Sequence, residues 1–364
     1  MSSSQETFAN TLWYGKYRWL GWLLSPLSLV FWFLSGWRRR HQQAKQVVSP
    51  FPVPVIVIGN ISVGGVGKTP LIISLCQQLK EKGINVGVVS RGHGGHSHRY
   101  PLRVNTTDNA SETGDEPLLI AQLTACPVVV DPDRTAAVDL LVSQFDVDIV
   151  LSDDGMQHYR LWRDKEIAVI DGRRCFGNGL VLPGGPLRET SSRLASVDAV
   201  VVNGEPASDV LKHLASYTNR VMLSRVQPIQ WRKLECPHGQ NTLKQIAVTL
   251  DDNPLQGRVL AFAGIGNPGR FYSTLRRIGL SVDEKSFADH YHYCASDILT
   301  MAELGLPLVT TAKDAVKLAP ILESTQELIG LPIWVLDVGM KVPDELLDVI
   351  VGNVEKDGQK PNYK

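Results

Sequence analysis

The stretch VIVIGNISVGGVGKTPL, Val55 to Leu71, constrains the fold more than any other part of the chain. A strongly apolar run of strand character enters a glycine-rich turn. Lys68 and Thr69 then open a helical pattern, KTPLIISLCQQLKEKG, that stops at Gly83. Strand, turn and helix in this order are the context of a phosphate-binding loop, in which Ser62, Val63, Gly64, Gly65, Val66, Gly67, Lys68 and Thr69 surround an anion with backbone N–H groups. Lys68 is expected to reach the β- and γ-phosphates, Thr69 to ligate Mg²⁺, and the helix to direct its positive end at the same charge. The usual form, G-x-x-x-x-G-K-[ST], has glycine where this chain has Ser62. That departure is harmless if position 62 keeps an ordinary backbone conformation.

Apolar runs and helical patterns alternate after the loop. NVGVVS, CPVVVD, VDIVLSDD, EIAVID and DAVVVN read as buried strands, with EPLLIAQL and DPDRTAAVDLLVSQF as helices between some of them. Near-continuous apolar strands joined by helical crossovers imply a mostly parallel sheet covered on both faces. The pattern weakens over residues 206–256, which read as a connector. A second, smaller α/β domain then spans 257–354, beginning with RVLAFAGIGNPGRFYSTLRRIG, and 355–364 read as a loose tail. The expected fold is therefore α/β: a P-loop NTPase-like core over 47–205, a smaller α/β domain, and an N-terminal hydrophobic segment over 1–46.

That segment contains Trp19 to Trp37, WLGWLLSPLSLVFWFLSGW, 19 residues without a charge. As a helix it is about 28 Å long, close to one hydrocarbon thickness. Five of the eight tryptophans lie in or beside it, and Arg38, Arg39 and Arg40 follow directly. A basic cluster in place of a small-residue cleavage site argues against a removed signal peptide. Apolar residues on every side of the helix argue against a core helix. The segment is read as a membrane helix, either spanning or lying in the cytoplasmic interface, with the remainder of the chain cytoplasmic. Lysine plus arginine equals aspartate plus glutamate, 37 against 37, so the global charge offers no signal for nucleic acid. The five cysteines lie far apart with no C-x-x-C pair, in keeping with reduced thiols in the cytosol.

Carboxylates at the end of a neighbouring strand would complete a Mg²⁺-nucleotide site, and VDIVLSDDGMQH supplies Asp153 and Asp154 there. SETGDEPLL sets Asp115 and Glu116 at a helix start, where they serve either as caps or as a base for a substrate hydroxyl and a further carboxylate near the metal. FADHYHY offers Asp289, His290 and His292, an Asp–His pair able to tune a proton acceptor if it faces the core. LPGGPLRET offers Arg188 and Glu189 in a glycine–proline loop suited to a phosphate. RGHGGHSH, with His93, His96 and His98, reads as a surface loop rather than a metal site.

Taken together, GNISVGGVGKTP, SRG, GDEP, VVVDPDR, DDGMQH, LPGGPLRE, FADH and TAKDAVK stand in an order that resembles the tetraacyldisaccharide 4′-kinases of lipid A biosynthesis. The resemblance covers nearly the whole chain. It implies Mg²⁺-dependent transfer of the ATP γ-phosphoryl group to the 4′-hydroxyl of an acylated glucosamine disaccharide at the cytoplasmic face of the inner membrane; the chain is expected to act as a monomer. It also implies Asp115 as base supported by His290, Asp289 as an orienting group, Lys68 as phosphate clamp, and Thr69, Asp153, Asp154 and Glu116 around the metal. Arg188 and Glu189 would lie near nucleotide or substrate. Ser62 fits the family's loop, whereas His93 stands where the family more often has tyrosine. The competing reading is a membrane-associated P-loop ATPase switch of the partitioning type, whose signature lysine is replaced here by Val63.

Overall fold

The computed structural model describes residues 11–46, 51–237 and 243–352. The tail expected at 355–364 lies outside the described residues. Two sheets form the frame. The larger has eight strands, and its central β1 (Val55–Gly59) is flanked by β5 (Ile149–Asp153) and β6 (Lys165–Asp171). On one side β2 (Val86–Ser90), β4 (Val128–Val130) and β3 (Leu102–Val104) extend it. On the other side β7 (Ala199–Asn203) and β8 (Val221–Ser224) complete it. All pairings are parallel except β3 with β4. Every residue of β1, β2, β5 and β7 is buried, as their continuous apolar runs require of strands covered on both faces.

The smaller sheet has six strands, in the order β10 (Lys244–Thr249), β9 (Val226–Glu235), β14 (Ile333–Met340), β13 (Leu308–Thr311), β11 (Arg258–Ala263) and β12 (Ser281–Ser286). Residues 206–256, expected to be a connector, thus carry a helix and three strands. β8 closes the edge of the large sheet, while β9 and β10 join the small one as antiparallel strands. Their signal is weak for a physical reason: β9 is half-exposed and alternates polar with apolar residues, so it lacks the apolar run that marks a buried parallel strand. Pro228 sits in β9 beside the irregularity in its pairing with β14, a place where a missing N–H is tolerated.

The helix after the glycine-rich turn, α1 (Lys68–Glu81), joins the two sheets. Leu71, Ile72, Ile73, Ser74, Leu75, Cys76 and Leu79 are all buried, which is nearly every direction around the axis. One side packs on the large sheet. On the other, Ser74 Oγ accepts from Met340 N of β14 at 3.0 Å. A salt bridge of 2.8 Å between Asp171 and Arg270 also connects the two sheet layers.

The N-terminal helix, Ser25–Gln43, continues a 3₁₀ segment, Arg18–Leu24, and is the one stretch among the described residues long and apolar enough to cross a membrane. Trp19, Trp22, Leu23, Leu29, Phe33 and Trp37 are more than half exposed. It attaches to the body through Ser28, whose Oγ donates to Val181 O at 2.8 Å and accepts from Gly184 N at 3.0 Å.

Gly67 has φ +99°, and a Cβ there would lie 2.3 Å from Asn203 Nδ2. Asn203, at the end of β7, donates to Val66 O at 2.7 Å and accepts from Val226 N at 3.2 Å, fastening the loop to both sheets. Gly67→Ala is therefore expected to lower stability by about 1–3 kcal/mol and to weaken ATP binding. Chemical denaturation and nucleotide titration check this; an unchanged midpoint with unchanged affinity contradicts it.

Candidate active site

The glycine-rich loop leaves the C-terminal end of β1, where parallel sheets collect ligands. Ser62 is buried, pairs with Leu187 as a strand-like bridge, and has no left-handed φ, so no glycine is needed at that position. Val63 N donates to Pro186 O at 2.9 Å, which ties the loop to the LPGGPLRE segment. Lys68 opens α1 and extends its Nζ to Asn60 Oδ1 and Asp154 Oδ1, both at 3.1 Å.

Asp153 ends β5, one strand from the loop. It is 1% exposed; its Oδ2 accepts from Ser90 Oγ at 3.2 Å, and its Oδ1 has no hydrogen-bond partner among the described residues. Burial, with Glu116 and Asp154 nearby, pushes its carboxyl up to about 7. Asp154 behaves oppositely. Burial acts to raise its pKa, but Lys68 and Arg188 override that and hold it below the usual carboxylate range. Arg188 Nη1 lies 3.2 Å from Asp154 Oδ2 and from Gln157 Oε1.

Asp115 and Glu116 begin the helix Asp115–Thr124 after Gly114, as the sequence suggested. Gly114 has φ +92°, and a Cβ there would lie 2.8 Å from His93 O, so only glycine lets the RGHGG loop rest against this helix start. Asp115 is 4% exposed; its Oδ1 accepts from Glu116 N at 2.9 Å and its Oδ2 is 3.0 Å from His290 Nδ1. Burial would raise the Asp115 pKa, yet Lys313 and the His290 hydrogen bond bring it down to about 2. His290 comes from the small sheet's side of the cleft. Burial acts to lower its pKa, but the hydrogen bond and charge of Asp115, with Asp289, carry it above the ordinary imidazole value. Asp289 Oδ1 accepts from His290 N at 3.1 Å.

The residue not assigned a role from sequence is Lys313, at the start of the helix Ala312–Ser324. Its Nζ lies 3.0 Å from Glu116 Oε1, 3.5 Å from Asp289 Oδ1, 3.9 Å from Asp115 Oδ2 and 3.4 Å from His290 Nε2. One cation thus joins acids from both sheet layers and faces the imidazole nitrogen that Asp115 does not use. The signal was there in PLVTTAKDAVK, a strand running into a helix with lysine at the junction, the arrangement that places Lys68. Removing the cation strands three carboxylates together. Lys313→Met is expected to lower stability by about 3 kcal/mol, read from denaturation midpoints against wild type; an unchanged midpoint would show that these acids need no such partner.

Glu189 has a different set of ionic partners. It accepts from Gln157 Nε2 at 2.9 Å, hydrogen-bonds Tyr159 OH, and pairs with Arg193 at 3.4 Å and with Arg39 of the N-terminal helix at 3.9 Å. Arg188 and Glu189 therefore share the Gln157 carboxamide but differ in their ionic partners: Arg188 pairs with the acidic end of β5, Glu189 with Arg193 and with Arg39 of the apolar helix. His93 meets His290 edge-on, with ring centroids 4.9 Å apart. His292, His96 and His98 join no cluster of three metal-ligating side chains among the described residues.

Most of these groups open on one cleft of about 1490 Å³, lined by the glycine-rich loop and Thr69, by Asp153, Asp154, Glu116, His290 and Lys313, and by Phe31, Trp32, Leu34 and Arg39 of the N-terminal helix. Single small-ligand sites usually enclose roughly 300–1,000 Å³, so this one has room for two. Of four non-glycine residues with positive φ among the described residues, Asp154 (48°) and His290 (58°) both lie here. Backbone held in that region gathers at functional sites.

The model of the tetraacyldisaccharide-1-P 4′-kinase family matches residues 20–355. The chain is 44% identical over 307 residues to the tetraacyldisaccharide 4′-kinase of Histophilus somni, covering 84% of this chain and 87% of that one. It is 41% identical over 353 residues to the Aeromonas hydrophila kinase, covering 96% of both. Among solved structures it is similar to LpxK from Aquifex aeolicus in complex with ATP, with TM-score 0.69 and 26% identity, covering 92% of this chain and 99% of that one. With a family model matched along most of its length and relatives above 40% identity aligned nearly end to end, the chain belongs to the tetraacyldisaccharide 4′-kinase family.

Proposed function

We propose that the protein transfers the γ-phosphoryl group of ATP to the 4′-hydroxyl of a tetraacylated glucosamine disaccharide 1-phosphate, forming the lipid A precursor lipid IVA. The observation that carries this reading is the single cleft, lined by a glycine-rich loop of phosphate-binding form, by the His290 imidazole that Asp115 holds from behind, and by an exposed aromatic helix. The acceptor's acyl chains lie along that helix, in or at the cytoplasmic leaflet of the inner membrane, and its sugar reaches Asp115. The P-loop core and the smaller α/β unit act as two bodies that close on the substrates.

Asp115 receives the hydroxyl proton. His290 holds the carboxylate through Nδ1, with its Nε2 towards Lys313. Asp289 orients His290, and Lys68 clamps the transferring phosphoryl group. A base with a pKa of about 2 suits this chemistry. The transition state of phosphoryl transfer is loose, so the proton leaves late and positioning matters more than basicity.

The residues also fit Mg²⁺. The buried Oδ1 of Asp153, without a partner among the described residues, leaves an acidic corner in the cleft that Thr69 also lines, which a hard divalent cation would satisfy. No three side chains of the His, Cys, Asp and Glu types form a finished cage among the described residues. That suits an ion that keeps waters and phosphate oxygens in its shell. Thr69, Asp153, Asp154 and Glu116 would hold it, where it would neutralise charge on the β- and γ-phosphates.

The deciding assay uses the full chain in detergent micelles with Mg²⁺-ATP, with and without the acylated disaccharide. The expected result is a phosphorylated lipid and ADP release that depends on it. ADP release at the same rate without the lipid would overturn the kinase reading and favour a partitioning-type switch.

A further inference from the structure

The geometry points to His93 as a positioning residue that holds the His290 imidazole in register with Asp115 across the cleft. This inference rests on the role proposed above for His290.

His290 is incompletely fixed by its polar contacts. Its Nδ1 bonds Asp115 at 3.0 Å, while Nε2 is 3.4 Å from Lys313, a long contact. Asp289 Oδ1 is further still, 3.9 Å from Nε2, so one good hydrogen bond leaves the tilt of the ring to be set by packing. His93 supplies that packing. Its ring meets His290 at 4.9 Å with an interplanar angle of 79°, the edge-to-face geometry that aromatic rings prefer. The adjacent Gly94 closes the same side, since a Cβ there would stand 3.5 Å from His290 Nδ1.

The loop that carries His93 is anchored to the turn that carries Asp115. Gly95 N donates to Gly92 O at 3.0 Å, and His96 N donates to Ser111 O at 2.9 Å. His93 O itself lies against Gly114, one residue before Asp115. His93 and Asp115 therefore move as one body, whereas His290 arrives from the other sheet layer. The carboxylate fixes one imidazole nitrogen and the His93 ring fixes the plane. Burial and the neighbouring His290 hold the His93 pKa below its ordinary value, so the ring packs in its neutral form, as edge-on contact beside Lys313 and Arg91 requires. His93 is exposed to the cleft, and its substitution empties no core position.

The test is a kinetic cycle on the full chain in detergent micelles, comparing wild type, His93→Ala, His93→Phe, His290→Ala and the double alanine variant. Because misplaced groups lose rate rather than affinity, His93→Ala is expected to lower kcat about tenfold and leave KM for ATP within about twofold. His93→Phe restores most of the rate, since ring shape and not hydrogen bonding does the positioning. The double variant is no slower than His290→Ala alone. A wild-type kcat in His93→Ala overturns the inference. So does a phenylalanine variant as slow as the alanine one, or losses that multiply in the double variant. A wild-type rate in His290→Ala would remove the role of His290 itself, a failure distinct from the others. Denaturation midpoints of each variant separate these outcomes from misfolding, and the phenylalanine variant keeps the test decisive if alanine disturbs the loop.

Discussion

Asp115→Asn is expected to lower turnover by about 10²- to 10⁴-fold while the affinity for Mg²⁺-ATP stays within about twofold. Asparagine keeps the shape of the side chain and can still meet His290, so the change isolates the negative charge. That charge is secure in the wild type, because Lys313 and His290 bring the carboxyl down to about 2 despite its burial. Its folded-state pKa is depressed, so its contribution to stability persists from neutral pH through the unfolded-state value and is lost only as pH falls towards 2. No acid limb in the rate above about pH 4 should therefore trace to Asp115. The nucleotide should not register the substitution, because Lys68 and Thr69 belong to a different strand and helix. Quantifying phosphorylated lipid under single-turnover conditions, alongside a nucleotide titration, decides the matter. A rate within threefold of wild type would remove Asp115 as proton acceptor.

Much of the large sheet was legible in the chain because its strands are buried on both faces. Burial forces continuous apolar runs such as VIVIG and AVVVN, and these have few competing readings. β9 and β10 were not legible, because a half-exposed antiparallel strand leaves only an alternation, and VQPIQWRKLE also contains a proline. At the site, the glycine-rich loop, the paired aspartates and the Asp115–Glu116 helix start could each be placed locally, since strand end, turn and helix start lie within a few residues.

What local reading could not supply was distance across the fold. His290 and Asp115 are 175 positions apart in sequence, and Lys313 and Glu116 are 197 apart. Nothing in FADH or TAKD says that these segments meet. They meet because α1 packs on both sheets, which brings the segments that follow β12 and β13 against the helix start at Asp115 and Glu116. Arg188 and Glu189 make the same point more sharply. Adjacent residues on one loop share Gln157 yet pair with ions of different elements, and nothing in LPGGPLRE or its neighbours assigns Asp154 to one and Arg39 to the other.

Lys68→Met is the substitution expected to reach furthest, because the proposed role of Lys68 at the nucleotide adds to its pairing with Asp154. Its ammonium is nearly buried and lies 3.1 Å from both Asn60 Oδ1 and Asp154 Oδ1. Methionine matches its length and apolar stem without the charge. Loss of a preorganised cation at the transferring phosphoryl group is expected to lower kcat about 10³-fold, a barrier increase of about 4 kcal/mol. ATP affinity should fall as well, which distinguishes this variant from Asp115→Asn. Among the described residues Asp154 would then keep Arg188 as its one cation within salt-bridge distance, and its carboxylate would be less firmly held. Lys68→Arg should not restore the rate, since a planar guanidinium cannot replace a compact ammonium between two oxygens at that distance. Parallel measurements of kcat and nucleotide affinity for the three variants test the argument. Recovery by arginine to near wild type would mean that charge alone suffices, and that the placement set by Asn60 and Asp154 is not what makes Lys68 effective.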